Sequence, residues 1–405
     1  MKSGMAKGER IALGEVAEIN PPIPRAAVDD PGMEVSFVGM SGVSEVTASV
    51  LEHDVRTVAE CRKGYTAFQR GDVLVAKITP CFENGKIVMA DIPHAFGFGS
   101  TEFHVIRPRP DKLDPRFLLH FLRVPFFRIQ GERRMTGSAG QRRVPANFLS
   151  TFDIPLPPLL LQRRIAEVLD KAEALRAKRR AALAQLDSLT QSLFLDLFGD
   201  PVTNSKGWVD SKMLGDVADI VSGITKGRKV NGEAVREVPY LAVVNVQDKS
   251  LNLNSLKMIE ATEREVDRYK LIENDLLLTE GGDPDKLGRG TLWNNDLPEC
   301  IHQNHIFRVR LTSLDIDPLF LNWLVGSQRG KKYFLRSAKQ TTGIASINMT
   351  QLRGFPLLIP PIDLQREFAS RVAAVEKLKT AQRAALAELD ALFASLQHRA
   401  FRGEL

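Results

Sequence analysis

Cysteine is scarce in this chain of 405 residues. Its three cysteines, Cys61, Cys81 and Cys300, are too few and too scattered for a disulfide framework or a zinc site, and they favour a reducing compartment. The sequence also has no apolar run long enough to span a membrane, and its first residues lack the apolar core of a signal peptide. We therefore expect a cytoplasmic protein that makes no membrane contact.

Sequence signatures of catalysis are missing as well. The chain has no glycine-rich phosphate loop of the nucleotide hydrolases. Asn20-Pro21-Pro22-Ile23 lacks the aromatic fourth residue with which amino-methyltransferases stack on a flipped base, so we interpret it as a turn. Phe96-Gly97-Phe98-Gly99 leads into a strand rather than a helix, which argues against a cofactor loop. We expect a non-catalytic chain that binds no metal and no cofactor.

The charge balance is the first positive signal. Hydrophobic content of 43% and charged content of 26% are ordinary for a globular protein, but the net charge of +6 and the pI near 9.2 favour a polyanionic partner such as nucleic acid. The length predicts two to three domains.

One stretch, Leu161 to Leu197, predicts a single long helix with an apolar side that recurs at alternating steps of four and three residues. At about 1.5 Å per residue such a helix runs roughly 55 Å, longer than one small domain can cover. The pattern is typical of a coiled coil. Packing of the helix on its own domain alone is the alternative.

The same stretch occurs twice. Leu161-Gln162-Arg163 returns as Leu364-Gln365-Arg366, 203 residues later, and the match extends without gaps to Leu186-Asp187 and Leu389-Asp390. This internal duplication predicts that the two helices pair with each other in antiparallel fashion. The predicted contact positions are Leu161, Ile165, Val168, Leu175, Leu186 and Leu189 in the first helix and Leu364, Phe368, Leu378, Leu389 and Leu392 in the second.

The globular parts are duplicated too. Leu13 to Ile19 matches Leu214 to Ile220. Predicted strands recur at Arg70 to Ala76 and Glu273 to Thr279, and at Ser100 to Arg107 and Gln303 to Arg310; helix starts recur at Asp114-Pro115 and Asp317-Pro318. We predict a recognition domain at 1–155, a spacer helix at 156–200, a second recognition domain at 201–357 and a second spacer helix at 358–405.

Two histidines flank Gln303 and Asn304 at the start of one of these strands. His302 and His305 could suggest a nuclease or a metal pair, but the equivalent part of the first repeat, Gly99 to Glu102, contains no histidine. A structural role is therefore the better interpretation.

Each repeat also carries a basic, glycine-containing segment after its predicted Asp-Pro helix. We interpret Arg128 to Val144 and Gln328 to Ile347 as loops that bind phosphate, since glycines let backbone N–H groups approach an anion; a solvated surface loop is the alternative. We expect base contacts in the loops at Thr79 to Lys86 and Thr279 to Arg289, from neighbours such as Asn84. The candidate DNA-binding residues are Lys77, Lys86, Arg133, Arg134, Gln141, Arg142, Arg143, Lys226, Arg228, Lys286, Arg289, Lys331, Lys332, Lys339 and Thr341.

With these motifs in hand, the sequence resembles the specificity subunits of type I restriction-modification enzymes. The resemblance is carried by Gly71-Asp72-Val73-Leu74, by Ser100-Thr101-Glu102-Phe103 and above all by Ile154-Pro155-Leu156-Pro157-Pro158 followed by Gln162-Arg163-Arg164-Ile165-Ala166 and Phe198-Gly199-Asp200-Pro201. It covers nearly the whole chain.

The resemblance implies an α+β fold in which two pseudo-twofold-related α/β target recognition domains are separated by an antiparallel coiled coil of two long helices. It implies double-stranded DNA as ligand, read at a bipartite asymmetric target, and two methyltransferase subunits as partners for adenine methylation. Restriction subunits would join the full complex. S-adenosylmethionine would bind to the methyltransferase and not to this chain.

Two other functions remain open at this point. The chain could serve a restriction system in which one enzyme fuses nuclease and methyltransferase, or it could be a coiled-coil scaffold without a DNA role. The recurrent basic segments argue against the scaffold.

Overall fold

The computed structural model describes residues 10–23, 25–138, 140–230, 232–283, 286–341 and 344–405, and for Ala26, Val28, Gln340, Thr341 and Ile344 it describes the backbone alone. The chain forms two compact units. Unit 1 comprises Met1–Leu183 with Ala381–Leu405, and unit 2 comprises Ala184–Thr380. No helix in the described ranges is both long enough and apolar enough to cross a bilayer.

Unit 1 contains two four-stranded sheets with short helices around them, in the orders β2-β9-β6-β7 and β4-β3-β8-β5. Its elements are β1 (Arg10–Ala12), α1 (Leu13–Val16), β2 (Ala17–Ile19), α2 (Arg25–Asp29), β3 (Glu34–Val38), β4 (Asp54–Thr57), α3 (Val58–Cys61), β5 (Thr66–Gln69), β6 (Val73–Ala76), β7 (Ile87–Met89), β8 (Phe96–Gly99), β9 (Phe103–Pro108), α4 (Pro115–Leu122), α5 (Pro125–Glu132), α6 (Ala146–Ser150) and β10 (Asp153–Pro155). A first long helix, α7 (Leu159–Phe198), follows and continues into unit 2.

Unit 2 repeats this plan, with one four-stranded sheet in the order β11-β20-β16-β18 and a three-stranded sheet in the order β15-β12-β19. Its elements are α8 (Leu214–Val217), β11 (Ala218–Ser222), β12 (Val235–Leu241), a 3-10 turn (Val243–Asn245), β13 (Val246–Gln247), β14 (Ser250–Leu251), β15 (Lys257–Thr262), α9 (Glu263–Tyr269), β16 (Leu276–Thr279), β17 (Gly281–Gly282), β18 (Gly290–Leu292), β19 (Ile301–His302), β20 (Ile306–Leu311), α10 (Pro318–Gly326), α11 (Gln328–Ser337), β21 (Lys339–Thr341), β22 (Ile344–Ser346) and α12 (Met349–Arg353). The second long helix is α13 (Ile362–Ala400).

The strands and helix starts that recur in the sequence are confirmed. The central strands β6 and β16 are wholly buried, and each pairs in antiparallel fashion with the second predicted strand, β9 or β20. Asp114 and Asp317 cap α4 and α10 by accepting hydrogen bonds from two backbone N–H groups each.

A buried ion pair holds the turn before each central strand. Arg107 donates to both carboxylate oxygens of Asp72 at 2.9 and 2.8 Å, and Arg310 donates to both of Asp275 at 2.7 Å. The two pairs are equivalent under the 203-residue offset. Because both aspartates are almost fully buried, removal of either arginine would leave a carboxylate unpaired in the core.

A buried glutamine fixes the start of each long helix. Gln162 accepts from the backbone N–H of Asp114 at 2.9 Å and donates to the carbonyls of Lys112 and Pro157 at 2.9 and 2.7 Å. Gln365 makes the equivalent three hydrogen bonds, to Asp317, Asp315 and Pro360. The glutamine that both units share therefore connects the start of each long helix to the aspartate cap of the Asp-Pro helix in its own unit.

The predicted antiparallel pairing of the long helices is confirmed within each unit. In unit 1, Arg176 donates to Asp390 at 2.6 Å and Arg179 donates to Gln382 at 2.7 Å. In unit 2, Lys379 lies 2.8 Å from Asp187. The residue numbers in these contacts increase along α7 as they decrease along α13, so the two helices are antiparallel.

The contacts follow the duplication closely. Arg176 and Lys379 are equivalent positions, as are Asp187 and Asp390, so the same cation-carboxylate contact occurs once in each unit. Arg179 and Gln382 are equivalent to each other.

The predicted face of these helices was wrong at five positions. Val168, Leu175, Leu189, Leu378 and Leu392 are between 37 and 53% exposed, whereas Ile165 and Phe368 are buried. Leu161, Leu186, Leu364 and Leu389 are partly buried.

The buried or partly buried side of α7 extends to positions one residue beyond the predicted ones. These positions are Gln162, Ala166, Leu169, Glu173, Arg176, Arg180 and Leu183, of which Arg176 and Arg180 contact Asp390 of α13. Three of these side chains are charged and are satisfied by ion pairs, since Glu173 accepts from Arg176 and Arg180. A search for hydrophobic periodicity does not detect charged contact residues. It therefore predicts the exposed leucines as the contact face instead.

The glutamine contacts give a first test. We expect Gln162→Leu to lower the free energy of unfolding by on the order of 3 kcal/mol, because a buried N–H and two carbonyls lose their partner. Chemical denaturation measures the loss. Arg164→Leu, at an exposed position of the same helix turn, should change stability by about 0.5 kcal/mol or less. Equal effects of the two variants would contradict the locking role.

The helix contact gives a second test. Arg176→Glu places a carboxylate beside Glu173 and Asp390 and should cost about 2 kcal/mol, while the added change Asp390→Arg restores an attractive pair and should recover most of it. Thermal unfolding of the single and double variants is the measurement. A double variant no more stable than Arg176→Glu would show that the two side chains do not interact.

Candidate nucleic-acid interface

In unit 1, two neighbouring arginines on the predicted basic segment are held in fixed orientations by carboxylates. Arg143 donates to both oxygens of Glu102 at 2.8 to 3.2 Å, and Arg142 lies 3.5 Å from Glu83. The Arg143 guanidinium lowers the pKa of Glu102. About 42% of the Arg143 side chain stays exposed. An oriented and partly exposed guanidinium suits contact with a phosphate or with guanine.

The predicted loop from Thr79 to Lys86 forms a tight turn in front of these arginines. Its Gly85 adopts a φ of +77°, and the Thr79 hydroxyl donates to Glu83 at 2.8 Å. Asn84 is exposed at the tip, as a base contact would require, but Lys86 is directed inward to the carbonyl of Met40 at 3.0 Å. Lys77 is half-buried beside the turn.

Three more candidates in unit 1 lie on its surface. Arg133, Arg134 and Gln141 are exposed. Arg134 also lies over the ring of Phe148 at 5.5 Å and lines an open cleft of about 220 Å³ with Phe126. Sequence reasoning missed this aromatic floor, since its phenylalanines come from different helices.

In unit 2, the structure brings three candidates into one cleft. Lys286, Arg289 and Lys331 line an opening of about 150 Å³ together with Asp248 and Gly326. Sequence reasoning did not predict that Asp248 and Gly326 lie there, because they come from a hairpin and from the end of α10.

The other candidates in unit 2 differ in their surroundings. Lys226, Lys332 and Lys339 are exposed, and the side chain of Thr341 lies outside the described residues. Arg228 is paired with Glu265 and donates to the carbonyl of Glu260 at 2.8 Å. The Arg228 guanidinium lowers the pKa of Glu265 to about 2, as expected for an internal ion pair.

The prediction that both basic segments are loops was wrong for the first five residues of Arg128 to Val144 and for the first half of Gln328 to Ile347. Arg128 belongs to α5, and Arg329, Lys331, Lys332 and Arg336 belong to α11. The helix buries Gly330 and Phe334 on one side and exposes its cations on the other. An amphipathic helix with so many lysines and arginines resembles a charged loop in sequence because only two of its residues are buried.

The histidine pair is explained by packing. His302 is fully buried, its Nδ1 lies 2.9 Å from the carbonyl of Ile306, and burial lowers its pKa to about 4. His305 contacts Glu280 at 2.5 Å. No cluster of His, Cys, Asp and Glu suited to a metal was found among the described residues.

Comparison with known proteins shows which family this chain is similar to. The family model described as the type I restriction modification DNA specificity domain matches the chain twice, at residues 6–185 and 205–389. Over 164 residues, the chain is 41% identical to the specificity subunit of the type I restriction enzyme EcoEI of Escherichia coli, a match that covers 40% of this chain and 27% of that one. Over 316 residues it is 26% identical to the StySPI specificity subunit of Salmonella potsdam, covering 73% and 67%.

These matches differ in extent. The match to EcoEI, like that to the EcoAI specificity subunit of Escherichia coli, spans about a quarter of the relative's length, 27% and 26%. Among solved structures, the type I restriction-modification S subunit from M. genitalium superposes with a TM-score of 0.55 at 13% identity, over 99% of this chain and 97% of that one.

A second solved chain comes from work on complex assembly and conformational transition of the type I R-M system. It superposes with a TM-score of 0.56 at 20% identity and covers 99% of both chains. At such identities the likeness shows a shared fold. The two family matches together span far more than half of the residues, so this chain belongs to the family of type I restriction-modification DNA specificity domains.

Proposed function

We propose that this chain is the DNA sequence-specificity subunit of a type I restriction-modification complex and reads a bipartite, asymmetric target in double-stranded DNA. The supporting observation is that two homologous units share one framework but differ at their surfaces. The buried Asp72–Arg107 and Asp275–Arg310 pairs are equivalent, whereas Arg142 and Arg143 correspond to Ala345 and Ser346. Two units with the same frame and different polar surfaces are suited to two different half-sites.

The framework and the surfaces have separate tasks in this proposal. Buried groups such as Gln162 and Asp72 fix where the strands and helices lie, while exposed arginines and lysines contact phosphates and base edges. Each half-site would then be read by residues that can change without disturbing the core. The length of the paired helices would set the number of uncontacted base pairs between half-sites.

The partners in this proposal are two methyltransferase subunits, with restriction subunits in the full complex. The exposed residues Val168, Leu175 and Leu189 are spaced by seven and fourteen residues on α7, and Leu378 and Leu392 occupy the positions on α13 equivalent to Leu175 and Leu189. Apolar residues at heptad spacing are suited to a helix from a partner, and a duplicated stripe is suited to two copies of that partner.

Chemistry is assigned to the partners. S-adenosylmethionine would bind to the methyltransferase, which would methylate adenine, and this chain would position the enzyme without catalysing a step. We place the complex in the cytoplasm, where it meets DNA.

A paired deletion tests the spacing role. Removing residues 177–183 and 380–386 takes one heptad from each helix between the Arg176–Asp390 and Lys379–Asp187 contacts and leaves both contacts in place. Seven residues span roughly 10 Å, or about 3 base pairs at 3.4 Å each. Sequencing methylated adenines in cells that express the partner subunits should show unchanged half-sites and a spacer shorter by about 3 base pairs. Altered half-sites with an unchanged spacer would contradict the proposal.

The two held arginines are tested by salt dependence. Changing Arg142 and Arg143 together to alanine should weaken binding to all DNA and reduce the slope of log K against log salt by about 2, since each lost phosphate contact contributes roughly 0.9. Exposed Arg62 and Lys63, changed to alanine together, remove the same charge elsewhere in unit 1. An altered sequence preference at an unchanged slope would instead assign the arginines to base edges.

A further inference from the structure

The cleft in unit 2 has a counterpart in unit 1 that is arranged differently. Under the 203-residue offset, the lining residues Asp248, Lys286, Arg289, Gly326 and Lys331 correspond to Glu45, Glu83, Lys86, Arg123 and Arg128. The offset holds locally in the fold, because Phe37 pairs with Phe98 as Tyr240 pairs with Ile301, and Gly85 and Gly288 share a φ near +77° and +76°. The two units can therefore be compared position by position up to the hairpin that contains Asp248, which is two residues shorter in unit 2, where Val246 pairs with Leu251, than in unit 1, where Val43 pairs with Val50.

In unit 1 the cations at this place are directed to the protein's own carbonyl oxygens. Arg123 donates to the carbonyls of Glu45 and Val46, both at 3.2 Å. Arg128 donates to the carbonyl of Glu83 at 3.3 Å, and Lys86 donates to that of Met40 at 3.0 Å. Burial lowers the pKa of the Arg123 guanidinium, which shows how deeply this side chain is inserted.

In unit 2 two of the three cations, Arg289 and Lys331, are less engaged, while Lys286 is paired with Asp283. Lys331 is exposed, and its side chain makes no ion pair or hydrogen bond with the described residues. Arg289 lies 3.3 Å from the amide oxygen of Gln247, and its Nε is buried without a partner in the described part of the chain. Arg289 and Lys331 therefore line one cleft with only one internal side-chain hydrogen bond in all, that from Arg289 to Gln247, among the described residues.

One position accounts for much of the difference. Gly326 is equivalent to Arg123 of unit 1. The Arg123 side chain donates to the backbone carbonyls of Glu45 and Val46. A Cβ added at Gly326 would meet only Lys249 Nζ at 3.5 Å and Asp248 Oδ1 at 3.8 Å, so the backbone there accepts a side chain. The glycine thus leaves room that the first unit fills.

We propose that this cleft, which we call the Gly326 cleft, binds a phosphate group, and that the phosphate belongs to the DNA backbone. Its volume of about 150 Å³ is several times the roughly 30 Å³ that a water molecule occupies in the liquid, enough for a phosphate with some of its hydration. Arg289 and Lys331 supply charge-assisted donors. The proposal rests on the DNA-specificity function above. It adds that, at this position, only unit 2 binds a phosphate of the DNA backbone.

The test fills the cleft with the side chain that unit 1 uses. Gly326→Arg is compared with Gly326→Ala, which adds one methyl group at ordinary van der Waals distances from Lys249 and Asp248, both in the full chain with its methyltransferase partners. The added arginine alone would strengthen DNA binding and steepen its salt dependence, because it brings a positive charge. We expect the opposite: Gly326→Arg should weaken binding severalfold and reduce the salt slope by about 1, while Gly326→Ala should match the wild type.

The outcomes separate the proposals. Unchanged or stronger binding by a folded Gly326→Arg variant, with wild-type thermal unfolding, overturns the phosphate cleft and leaves the specificity function standing. Failure of the wild-type complex to retain any duplex at moderate salt overturns the specificity function itself. Inorganic phosphate is the second probe. If it stabilises the wild type but not Gly326→Arg while both bind DNA alike, the cleft takes free phosphate and the DNA assignment is overturned.

Discussion

Each long helix supplies a carboxylate to a largely buried cation of the other, in addition to the carboxylate on that cation's own helix. Arg176 is paired with Asp390 of the opposite helix in unit 1, and Lys379 is paired with Asp187 in unit 2. A cation withdrawn from water in this way is tolerated only next to a carboxylate, so the pairing fixes both partner and register. Because the two contacts are copies of one another, duplication of a single helix that carries both an acid and a base is enough to specify the antiparallel arrangement.

The globular units also contain the same buried contacts in both copies. Buried polar contacts that set the frame were kept in both copies: the aspartate-arginine pair before the central strand, the glutamine at the helix start and the aspartate cap. Surface positions diverged, so that Arg143 faces Glu102 in one unit while His305 faces Glu280 in the other. A frame held by internal hydrogen bonds allows the surface to vary without loss of fold, which is what a reader of two unlike half-sites needs.

Sequence alone predicted the duplication, the two long helices, the central strands and the aspartate caps, since each leaves a local pattern of spacing and residue type. It missed the charged part of the helix contact face, because Glu173, Arg176 and Arg180 contribute through ion pairs rather than apolar area. It also took α11 for a loop. Neither error could be corrected without knowing which charges meet across elements, and that depends on packing between residues far apart in sequence.

The candidate DNA-binding residues could also be predicted only in part. Lysines and arginines could be found from composition, but their partners could not: Arg228 and Lys86 are engaged internally, whereas Lys331 and Asn84 are exposed. The meeting of Lys286, Arg289 and Lys331 in one cleft results from a turn and a helix brought together by the fold. Opposite charges at Glu83 and Lys286 show how far the two units have diverged.

The central claim is that one chain directs methylation to a bipartite and asymmetric target. Single-molecule sequencing of DNA from cells that express this chain with the methyltransferase subunits proposed as its partners measures it most directly. The account predicts methylated adenines in two different half-sites, one on each strand, separated by a fixed number of unspecified base pairs, and their loss when this chain is omitted. Methylation at a continuous or palindromic site, or methylation unchanged without the chain, would contradict it.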